Sequence, residues 1–428
     1  MQDKEEGDNV IIIAHIGAGY FNEKHADVLK ALVALSLESA ENETDNSKEN
    51  TGYYKNGHRK PVGGDTSSRT DTTMEAMDNS KGSLSPCLKV CADKILRTSK
   101  VLEQSELTNT GYGSSITNEC SVFCDSSVCS YNMKTAKRCQ STIIMNSSRL
   151  PLKDAVEGLI DIHRARNEST RAMSQARNIA VTPPIIRVGN FKADPTLVSP
   201  KMTRLYEKYK TQLKHSQIHR EDQSAPLIVN GRTAARRCKD DVDDIQAVDD
   251  TIGVSVILPD RYILTGASSG GNMFKPTGRV GCAGVVGSAV FSTGDTHCTV
   301  TVMCSGNGED IIQLDLARSV CEYLVNNAGQ LTEGPVCELV ANCVYENSKK
   351  CRLLARDDLG NQILYVGLVG YIEWTEKIRK SRLVFYFHTT PTMVFGYRSR
   401  VDRRTRERCR FSKIKPNRLD ARGEFYIG

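Results

Sequence analysis

The stretch Asp249-Asp250-Thr251-Ile252-Gly253 lies where a polar segment gives way to a run of β-branched residues. Upstream, residues 193–249 are highly charged and predict a flexible, linker-like segment, with a helix at about 202–217. Downstream, Gly-bearing turns separate four β-rich runs, at residues 251–258, 262–268, 284–291 and 298–304. Thr251 therefore opens the first predicted strand of the second half of the chain.

A threonine at the start of a buried strand is usually structural, because β-branched residues suit strands. Cleavage of the Asp250–Thr251 bond would change this, because Thr251 would then carry an α-amine beside its own hydroxyl. The pKa of an unperturbed α-amine is about 8, so the amine can accept the hydroxyl proton. One residue would then supply both the nucleophile and its general base.

The order of the predicted elements indicates a layered α+β domain rather than a doubly wound parallel sheet. Before Thr251 the sequence predicts strands near residues 10–14, 120–124 and 142–145, and helices at 23–40, from 86 onward and at 151–177. After the four β-rich runs it predicts helices at 311–325 and 336–346 and strands at 362–371 and 382–389. Residues 41–85 lack aliphatic periodicity and predict a disordered insertion within a helical layer.

The composition excludes several classes of protein. The chain has 428 residues, a net charge of +6 and 39% hydrophobic residues, and no run approaches the roughly 18 apolar residues of a membrane span. The acidic start MQDKEEGDN lacks a basic region, and the number of cysteines, 15, is odd. These features predict a reduced chain that is cytoplasmic, nuclear or both, and not secreted.

The positive charge is concentrated near the end of the chain. Residues 398–422 contain eleven Lys and Arg against three acidic residues, so the excess charge belongs to a basic C-terminal tail at about 398–428. Such a tail could bind nucleic acid or act as a nuclear address. A solvated charge run is the favoured interpretation, and no nucleic-acid or membrane partner is predicted.

Three Ser- and Gly-bearing turns follow Thr251. They are Ser268-Ser269-Gly270-Gly271, Gly278-Arg279-Val280-Gly281 and Ser305-Gly306-Asn307-Gly308-Glu309. In this order they could supply a hydroxyl to orient the nucleophile, a guanidinium for bidentate capture of a carboxylate, and backbone N–H groups for an oxyanion. Each turn alone is a weak signal, because such turns are abundant.

Five motifs together carry a specific resemblance. They are AHIGAG at 14–19, LTNTGYGSSIT at 107–117, DDTIG at 249–253, TGASSGGNMFKPTGRVG at 265–281 and CSGNGE at 304–309. The sequence resembles the type-2 asparaginase family of N-terminal nucleophile hydrolases over about residues 10–309, and FYFHTTPTMVFGY resembles the family's closing strand. The resemblance implies a four-layer αββα sandwich enlarged here by two long polar insertions.

The resemblance also implies that one inactive chain cleaves itself into an alpha subunit, residues 1–250, and a beta subunit, residues 251–428. The Thr251 hydroxyl would attack the Asp250 carbonyl, and water would hydrolyse the resulting ester. Further roles follow by position: Ser269 is the second hydroxyl, Arg279 the substrate-carboxylate clamp, Ser305 with Gly306 the substrate-binding and oxyanion element, and Asn109 and Ser268 are supporting residues. His15 is structural in this family.

Position 282 separates the branches of the family. In the asparaginase, isoaspartyl-peptidase and glycosylasparaginase branches, GRVG is followed by an aspartate whose carboxylate holds the substrate's α-amine, whereas this chain has Cys282. A thiol cannot hold an ammonium group in this way. The sequence therefore looks like the threonine aspartase (taspase) branch, which cleaves protein chains after Asp.

The function predicted from the sequence is a threonine-type endopeptidase that cleaves itself and then protein substrates, without a cofactor or metal. Its other partners would be its own alpha and beta fragments, which could assemble as a dimer of alpha-beta units. One alternative is an asparaginase or isoaspartyl peptidase acting on small substrates, and another is an uncleaved, non-catalytic interaction module. A metal site at Cys120, Cys124 and Cys129 is disfavoured, because no matching Cys/His pair has zinc-site spacing.

Overall fold

The computed structural model describes residues 9–41, 84–165, 184–218, 250–357, 359–376 and 379–427. Most of the insertion predicted at 41–85 lies outside the described residues, as do residues 166–177 of the third predicted helix. The segment 219–249 that leads to the Asp250–Thr251 bond also lies outside them. Within the described residues, no helix is both long and apolar enough to cross a membrane.

The larger of the two sheets has eight strands in the order β12-β11-β1-β5-β6-β2-β3-β4. Its strands are β1 Val10–Gly19, β2 Cys124–Asn132, β3 Lys137–Asn146, β4 Ile186–Val188, β5 Ile252–Leu258, β6 Tyr262–Ser269, β11 Thr392–Val401 and β12 Arg404–Lys413. Neighbouring strands are antiparallel except β3 and β4, which are parallel. The strand that follows Thr251, β5, therefore lies in the middle of the sheet, between β1 and β6.

The second sheet has five antiparallel strands in the order β13-β10-β9-β8-β7. Its strands are β7 Val290–Gly294, β8 Cys298–Gly306, β9 Val366–Glu376, β10 Arg379–His388 and β13 Ala421–Tyr426. It packs against the larger sheet chiefly through β8 and β9, which contact β1, and through β8 and β7, which contact β5 and β6. The end of β8 thereby reaches the start of β5.

Helices pack on the outer face of each sheet. Against the eight-stranded sheet lie α1 Ala26–Ser39, α2 Pro86–Glu103 and α3 Pro151–Ala165, and against the five-stranded sheet lie α5 Gly308–Gln313, α6 Leu316–Asn326 and α7 Val336–Ser348. The helices α1 and α2 contact each other. The described chain is thus an α+β structure with helices outside two facing sheets.

Alternation along β1 explains how one strand serves two cores. Ile11 and Ile13 belong to the apolar cluster shared with the five-stranded sheet, whereas Ile12 and Ala14 belong to the cluster shared with the helices α1–α3. Successive side chains of a strand point to opposite faces, so a strand buried on both faces reads as a continuous apolar run. This accounts for the sequence Val-Ile-Ile-Ile-Ala at residues 10–14.

The helix predicted at 202–217 is present as α4, Pro200–Ile218. Its residues Met202, Leu205 and Tyr206 are buried in a small cluster with Ile116 and Val122, so the first part of the predicted linker-like segment is packed onto the domain. A helix within a charged stretch can pack onto the domain in this way, because only one stripe of its surface needs to be apolar.

The basic tail predicted as an appendage is instead part of both sheets. Residues 404–413 form β12, the outer strand of the larger sheet, and residues 421–426 form β13, the outer strand of the smaller sheet. Cys409 and Phe411 pack against the helix-side core, while the intervening arginines are exposed. The prediction of a solvated appendage was wrong because the many arginines obscure the alternation of partly buried and exposed residues along β12.

Several other predicted elements differ from the structure, among them the strand predicted at 120–124, which shares only Cys124 with β2, and the strand predicted at 362–371, which begins at Val366 as β9. The strand predicted at 284–291 begins only at Val290, because a 3-10 turn occupies Cys282–Gly284. The helix predicted at 311–325 is two helices, divided at Asp315, which has a left-handed backbone (φ 43°). The single closing strand FYFHTTPTMVFGY is two strands, β10 and β11, which lie in different sheets.

Candidate active site

Thr251 lies directly before β5, where the two sheets meet, and only 3% of it is exposed. Its backbone N–H donates to Ser305 Oγ at 3.1 Å, and its Oγ1 lies 3.8 Å from Cys282 Sγ. The chain is continuous through Asp250, so this nitrogen is a peptide nitrogen in the structure. It is the atom that would become the α-amine after cleavage.

Ser305 connects the two sheets at this point. It lies near the end of β8 and is fully buried, and its Oγ accepts one hydrogen bond from Thr251 N and a second from Ala18 N, both at 3.1 Å. Ala18 belongs to the AHIGAG motif at the end of β1. One hydroxyl thus holds the predicted nucleophile against both β1 and β8.

The glycines of AHIGAG make room for Asp250, whose side chain is buried against them. A Cβ atom on Gly17 would overlap Asp250 Cβ, and one on Gly19 would lie 2.6 Å from Asp250 Oδ2. Gly17 also has φ +132°, a conformation that L side chains rarely adopt. The motif therefore provides a bare surface for the residue before the predicted cleavage site, a role the sequence alone did not reveal.

Gly17→Ala is expected to block cleavage at Asp250–Thr251, because the added methyl group displaces the Asp250 side chain and with it the carbonyl that Thr251 would attack. Denaturing gels of the purified variant should show mainly the full-length chain. Gly334→Ala is the matched control, since nothing lies within 4 Å of a Cβ there. Cleavage of a folded Gly17→Ala chain at the wild-type rate would contradict this role, with thermal unfolding as the check on folding.

Ser268 and Ser269 point to opposite faces of β6. Ser268 Oγ donates to Glu103 Oε1 at 2.9 Å and lies 2.8 Å from Thr110 Oγ1, on the face covered by helices. Ser269 Oγ accepts from Gly271 N at 3.1 Å. Since Ser268 pairs with Ile252, the register places Ser269 beside Thr251. Ser269 is therefore the serine that the strand register brings to the predicted nucleophile.

Glu103, on α2, is a buried carboxyl behind this strand. Burial raises its pKa to about 8, against the opposing effect of hydrogen bonds from Leu152 N and Ser268 Oγ. Burial thus favours the protonated carboxyl, which supports the strand through its hydrogen bonds with Leu152 N and Ser268 Oγ. This contact gives Ser268 a supporting position, separate from the face that carries Thr251.

Asn109 ties the TNTGYG turn to the two glycines after Ser269. Its side-chain Nδ2 donates to Gly271 O at 2.8 Å, its Oδ1 accepts from Ser115 N at 2.8 Å, and its backbone oxygen accepts from Gly270 N at 2.7 Å. Asn109 thus positions the backbone that follows Ser269. No contact of Asn109 with Thr251 is present among the described residues.

Arg279 is already paired with a carboxylate. Its Nε lies 2.9 Å and its Nη2 2.7 Å from the same oxygen of Glu309, Oε1, and only 14% of the arginine side chain is exposed. A Cβ on Gly308 would lie 3.3 Å from Arg279 Nη2 and 3.7 Å from Cys282 Sγ. Gly308 is therefore next to both the predicted carboxylate clamp and the cysteine that adjoins Thr251.

Cys282 places an uncharged group next to the nucleophile. Burial raises the pKa of its thiol to about 11, although the hydrogen bond with Thr251 and the Arg279 charge act in the opposite direction. The thiol is therefore protonated at neutral pH and carries no negative charge that could hold an ammonium group. The assignment of this position to a branch of the family stays a prediction.

Asp125 and Lys275 position the loop that carries Arg279, and neither was predicted from the sequence as a site residue. Asp125 accepts from Gly281 N at 2.7 Å and from Met145 N at 2.9 Å, while Lys275 Nζ donates to Phe123 O and Gly270 O. Burial raises the pKa of Asp125 and lowers that of Lys275. Lys275 lies inside the quoted motif, but no pattern marked Asp125, which is 156 residues from Gly281.

The turn from β8 to α5 places Gly306 next to Ser305. Gly306 has φ +126°, and a Cβ there would lie 2.5 Å from Tyr365 O. Asn307 then caps α5 through its side chain, which accepts from Asp310 N. The substrate-binding and oxyanion roles predicted for Ser305 and Gly306 stay predictions, because the contacts present here are those of Ser305 with Thr251 and Ala18.

His15 belongs to β1 and lies opposite Gly253 of β5. It is fully buried, burial lowers its pKa to about 3, and a Cβ on Gly253 would overlap its ring. The glycine of DDTIG therefore makes room for His15. Among the described residues, no three His, Cys, Asp or Glu side chains are grouped so that they could hold a metal ion.

One comparison with known proteins bears on this arrangement. The sequence model of the asparaginase family, Asparaginase_2, matches residues 187–361 of the chain. The matched range contains Asp250, Thr251, Ser269, Arg279 and Ser305, but not Asn109 or the AHIGAG motif. The match supports the type-2 asparaginase family of N-terminal nucleophile hydrolases and indicates a hydrolase.

Proposed function

We propose that this protein is a threonine-type endopeptidase that cleaves itself between Asp250 and Thr251 and then hydrolyses protein substrates after Asp. The observation that carries the proposal is the position of Thr251, whose nitrogen contacts Ser305 while Asp250 packs on bare glycines. The family match supports hydrolysis in general. The endopeptidase activity and the self-cleavage rest on the resemblance and on the geometry together.

In the first reaction, Thr251 Oγ1 attacks the carbonyl carbon of Asp250. The C–N bond breaks, the hydroxyl proton passes to the released nitrogen, and an ester joins Asp250 to the threonine side chain. Water then hydrolyses the ester, which leaves a carboxylate on Asp250 and restores the Thr251 hydroxyl beside the amine that was freed when the C–N bond broke. Gly17 and Gly19 hold the Asp250 side chain during this step, and Ser305 Oγ holds the nitrogen.

In the second reaction, the Thr251 amine accepts the hydroxyl proton as the oxygen attacks the carbonyl of a substrate aspartate. The substrate's C–N bond then breaks, its nitrogen takes up that proton and leaves as the amine of the second fragment, and water hydrolyses the ester that remains on Thr251. Ser269, beside Thr251 in the strand register, supplies the second hydroxyl. Glu309 must first release the guanidinium of Arg279. Arg279 then binds the substrate's aspartate side chain, since a guanidinium can bind a carboxylate through two parallel hydrogen bonds. The uncut chain lacks the amine, so it is an inactive precursor.

Cys282 favours protein substrates over free amino acids. A free asparagine brings an ammonium group into the site, and a neutral thiol leaves that charge without a partner at a desolvated position. An aspartate within a polypeptide has an amide nitrogen in the same place and needs no counter-charge. The same site therefore accepts an internal Asp more readily than a free amino acid.

The packing order of the described elements supports the four-layer αββα arrangement. Helices cover the eight-stranded sheet, that sheet faces the five-stranded sheet, and helices cover the second sheet. Strand β1 of residues 1–250 is bonded on both sides to strands of residues 251–428, β5 and β11. We propose that the two fragments remain associated after cleavage as an alpha-beta unit, because this pairing does not depend on the cut bond.

A blocked peptide and free asparagine distinguish the proposal from the small-substrate alternative. The mature protein is expected to cleave a peptide with one internal Asp and blocked termini, while releasing little ammonia from asparagine. Cys282→Asp is expected to raise ammonia release about tenfold or more, because the new carboxylate can pair with the substrate's α-amine.

Cys282→Ser is the matched control for that variant, since it keeps the position uncharged and should leave ammonia release unchanged. Mass spectrometry of the peptide and an ammonia assay give the two readouts. Rapid ammonia release by the wild-type protein, with the peptide intact, would favour the asparaginase alternative. A chain that is never cut and acts on neither substrate would favour the non-catalytic interaction module.

A further inference from the structure

Four arginines line one face of β12, the outer strand of the larger sheet. They are Arg404, Arg406, Arg408 and Arg410, and all four are exposed. Alternate residues of a strand share a face, so these side chains repeat about every 6.6–6.8 Å along it. We refer to these four residues as the arginine row.

Aromatic rings and a main-chain oxygen hold three of the guanidiniums in place. Arg408 lies over the Phe425 ring at 4.7 Å and Arg410 over the Tyr386 ring at 5.0 Å, while Arg406 Nη1 donates to Tyr426 O at 3.1 Å. A guanidinium stacked on a ring retains most of its hydrogen-bond donors. The row therefore presents fixed positive groups rather than freely moving side chains.

No carboxylate of the described residues forms an ion pair with the arginine row. The neighbouring basic residues differ: Arg398 pairs with Glu41 and Glu407, and Arg422 pairs with Glu338 and Asp420. Glu407 lies on the opposite face of β12, because its number is odd within the strand. Among the described residues the four arginines of the row therefore have no carboxylate partner, whereas Arg398 and Arg422 have such partners.

The backbone of β12 is also available on one side. β12 pairs with β11 over ten residues, from Arg404 opposite Val401 to Lys413 opposite Thr392, and it is the last strand in the sheet order. Alternate N–H and C=O groups of an outer strand point away from the sheet and can pair with another chain. In the described part of the chain, no strand pairs with this outer edge.

We propose that β12 binds an extended acidic segment of a partner protein as an added strand, with Asp or Glu at alternate positions facing the arginine row. Such a segment matches both features of the edge. Its backbone bonds to the outer edge of β12, and its two-residue repeat places one carboxylate opposite each arginine. This inference is independent of the proposed catalytic function.

A nucleic acid matches only one of these features. It supplies negative charge but no backbone that continues a sheet. Its bases would need open aromatic faces for stacking, and at this edge Arg408 and Arg410 already lie over Phe425 and Tyr386. Charge complementarity together with strand pairing therefore favours an acidic polypeptide.

The test uses the full chain and three fluorescent probes. The first is a ten-residue peptide in which Glu alternates with Thr, the second has the same composition with the five Glu in one block, and the third is a single-stranded oligonucleotide of equal charge. Glutamate is used so that an Asp-directed hydrolase does not cut the probes. The alternating peptide is expected to bind several-fold more tightly than the other two by fluorescence anisotropy, and more weakly at higher salt.

Charge reversal identifies the surface. Arg404→Glu with Arg408→Glu is expected to weaken binding of the alternating peptide about tenfold, because exposed ion pairs each contribute modestly and act together here. Lys134→Glu with Lys137→Glu is the matched control, since both lysines are exposed in and beside the β2–β3 turn. Arg404→Lys with Arg408→Lys keeps the charge and should retain most of the affinity, which separates charge from packing if the first variant unfolds.

Four outcomes would overturn the proposal. Equal binding of the alternating and block peptides would show simple charge attraction without strand register. Tighter binding of the oligonucleotide would identify a nucleic-acid surface instead. Absence of binding to the alternating peptide at low salt, or equal loss in the Lys134 and Lys137 control, would remove the arginine row as a docking surface.

Discussion

Thr251→Ala is expected to leave one full-length chain on a denaturing gel, where the wild-type protein gives two fragments. The substitution removes the oxygen that attacks the Asp250 carbonyl. It also removes the nucleophile for protein substrates, so hydrolysis after Asp should fall by about 10⁴-fold or more. The buried backbone contact with Ser305 is retained, since Thr251 donates its N–H and not its side chain.

Thr251→Ser is the matched control, because it keeps the hydroxyl and the nitrogen and removes only one methyl group. It should mature, although more slowly, and should then cleave peptides after Asp. Two fragments from Thr251→Ala, split at the same bond or elsewhere, would contradict the assignment of the nucleophile. Fragments from the wild-type protein that begin at another residue would do the same.

Arg279→Gln is expected to lower kcat/KM for peptides cleaved after Asp by about 10²–10³-fold, or about 3–4 kcal/mol of transition-state stabilisation. A neutral amide cannot replace the charge-assisted pair with the substrate's carboxylate. The preference for Asp over Asn at the cleaved position should largely disappear, which a general loss of folding would not produce. Steady-state kinetics with paired Asp and Asn peptides measure both effects.

Glu309→Gln is the control for Arg279→Gln, because Glu309 is the carboxylate that pairs with Arg279 in the structure. Glu309 Oε1 already contacts Arg279 Nε and Nη2, so it competes with a substrate carboxylate for the guanidinium. Its neutral variant should keep the preference for Asp and bind the substrate at least as well as the wild-type protein. If Arg279→Gln retained the preference for Asp over Asn, another residue would have to be the clamp.

Local patterns in the sequence were sufficient for much of the fold. The β-rich runs after Thr251 and the apolar stripes of the helices α2 and α7 each reflect a single element, so the approximate positions of these elements followed from the residues alone. The strand at 284–291 and the helix at 311–325 were misplaced where backbone turns interrupt the period, at Cys282 and Asp315. Such turns leave little trace in the hydrophobic pattern.

The motifs marked the candidate site, but its supporting contacts were not visible in the sequence. Thr251, Arg279 and Ser305 lie in short motifs, whereas Asp125 and Glu103 act across more than 150 residues of chain. The sequence also could not show that Gly17 and Gly19 accommodate Asp250. A glycine is required there because another residue's atoms occupy the space of a side chain, and only the structure shows which atoms these are. The arginine row was read as a solvated tail for a related reason, since only Cys409 and Phe411 mark its buried face.

Intact mass measurement with N-terminal sequencing of the purified wild-type protein tests the central claim most directly. The account predicts two fragments, residues 1–250 and 251–428, with the second beginning Thr-Ile-Gly-Val-Ser. An intact chain of 428 residues, or a second fragment that starts at any residue other than Thr251, would contradict it.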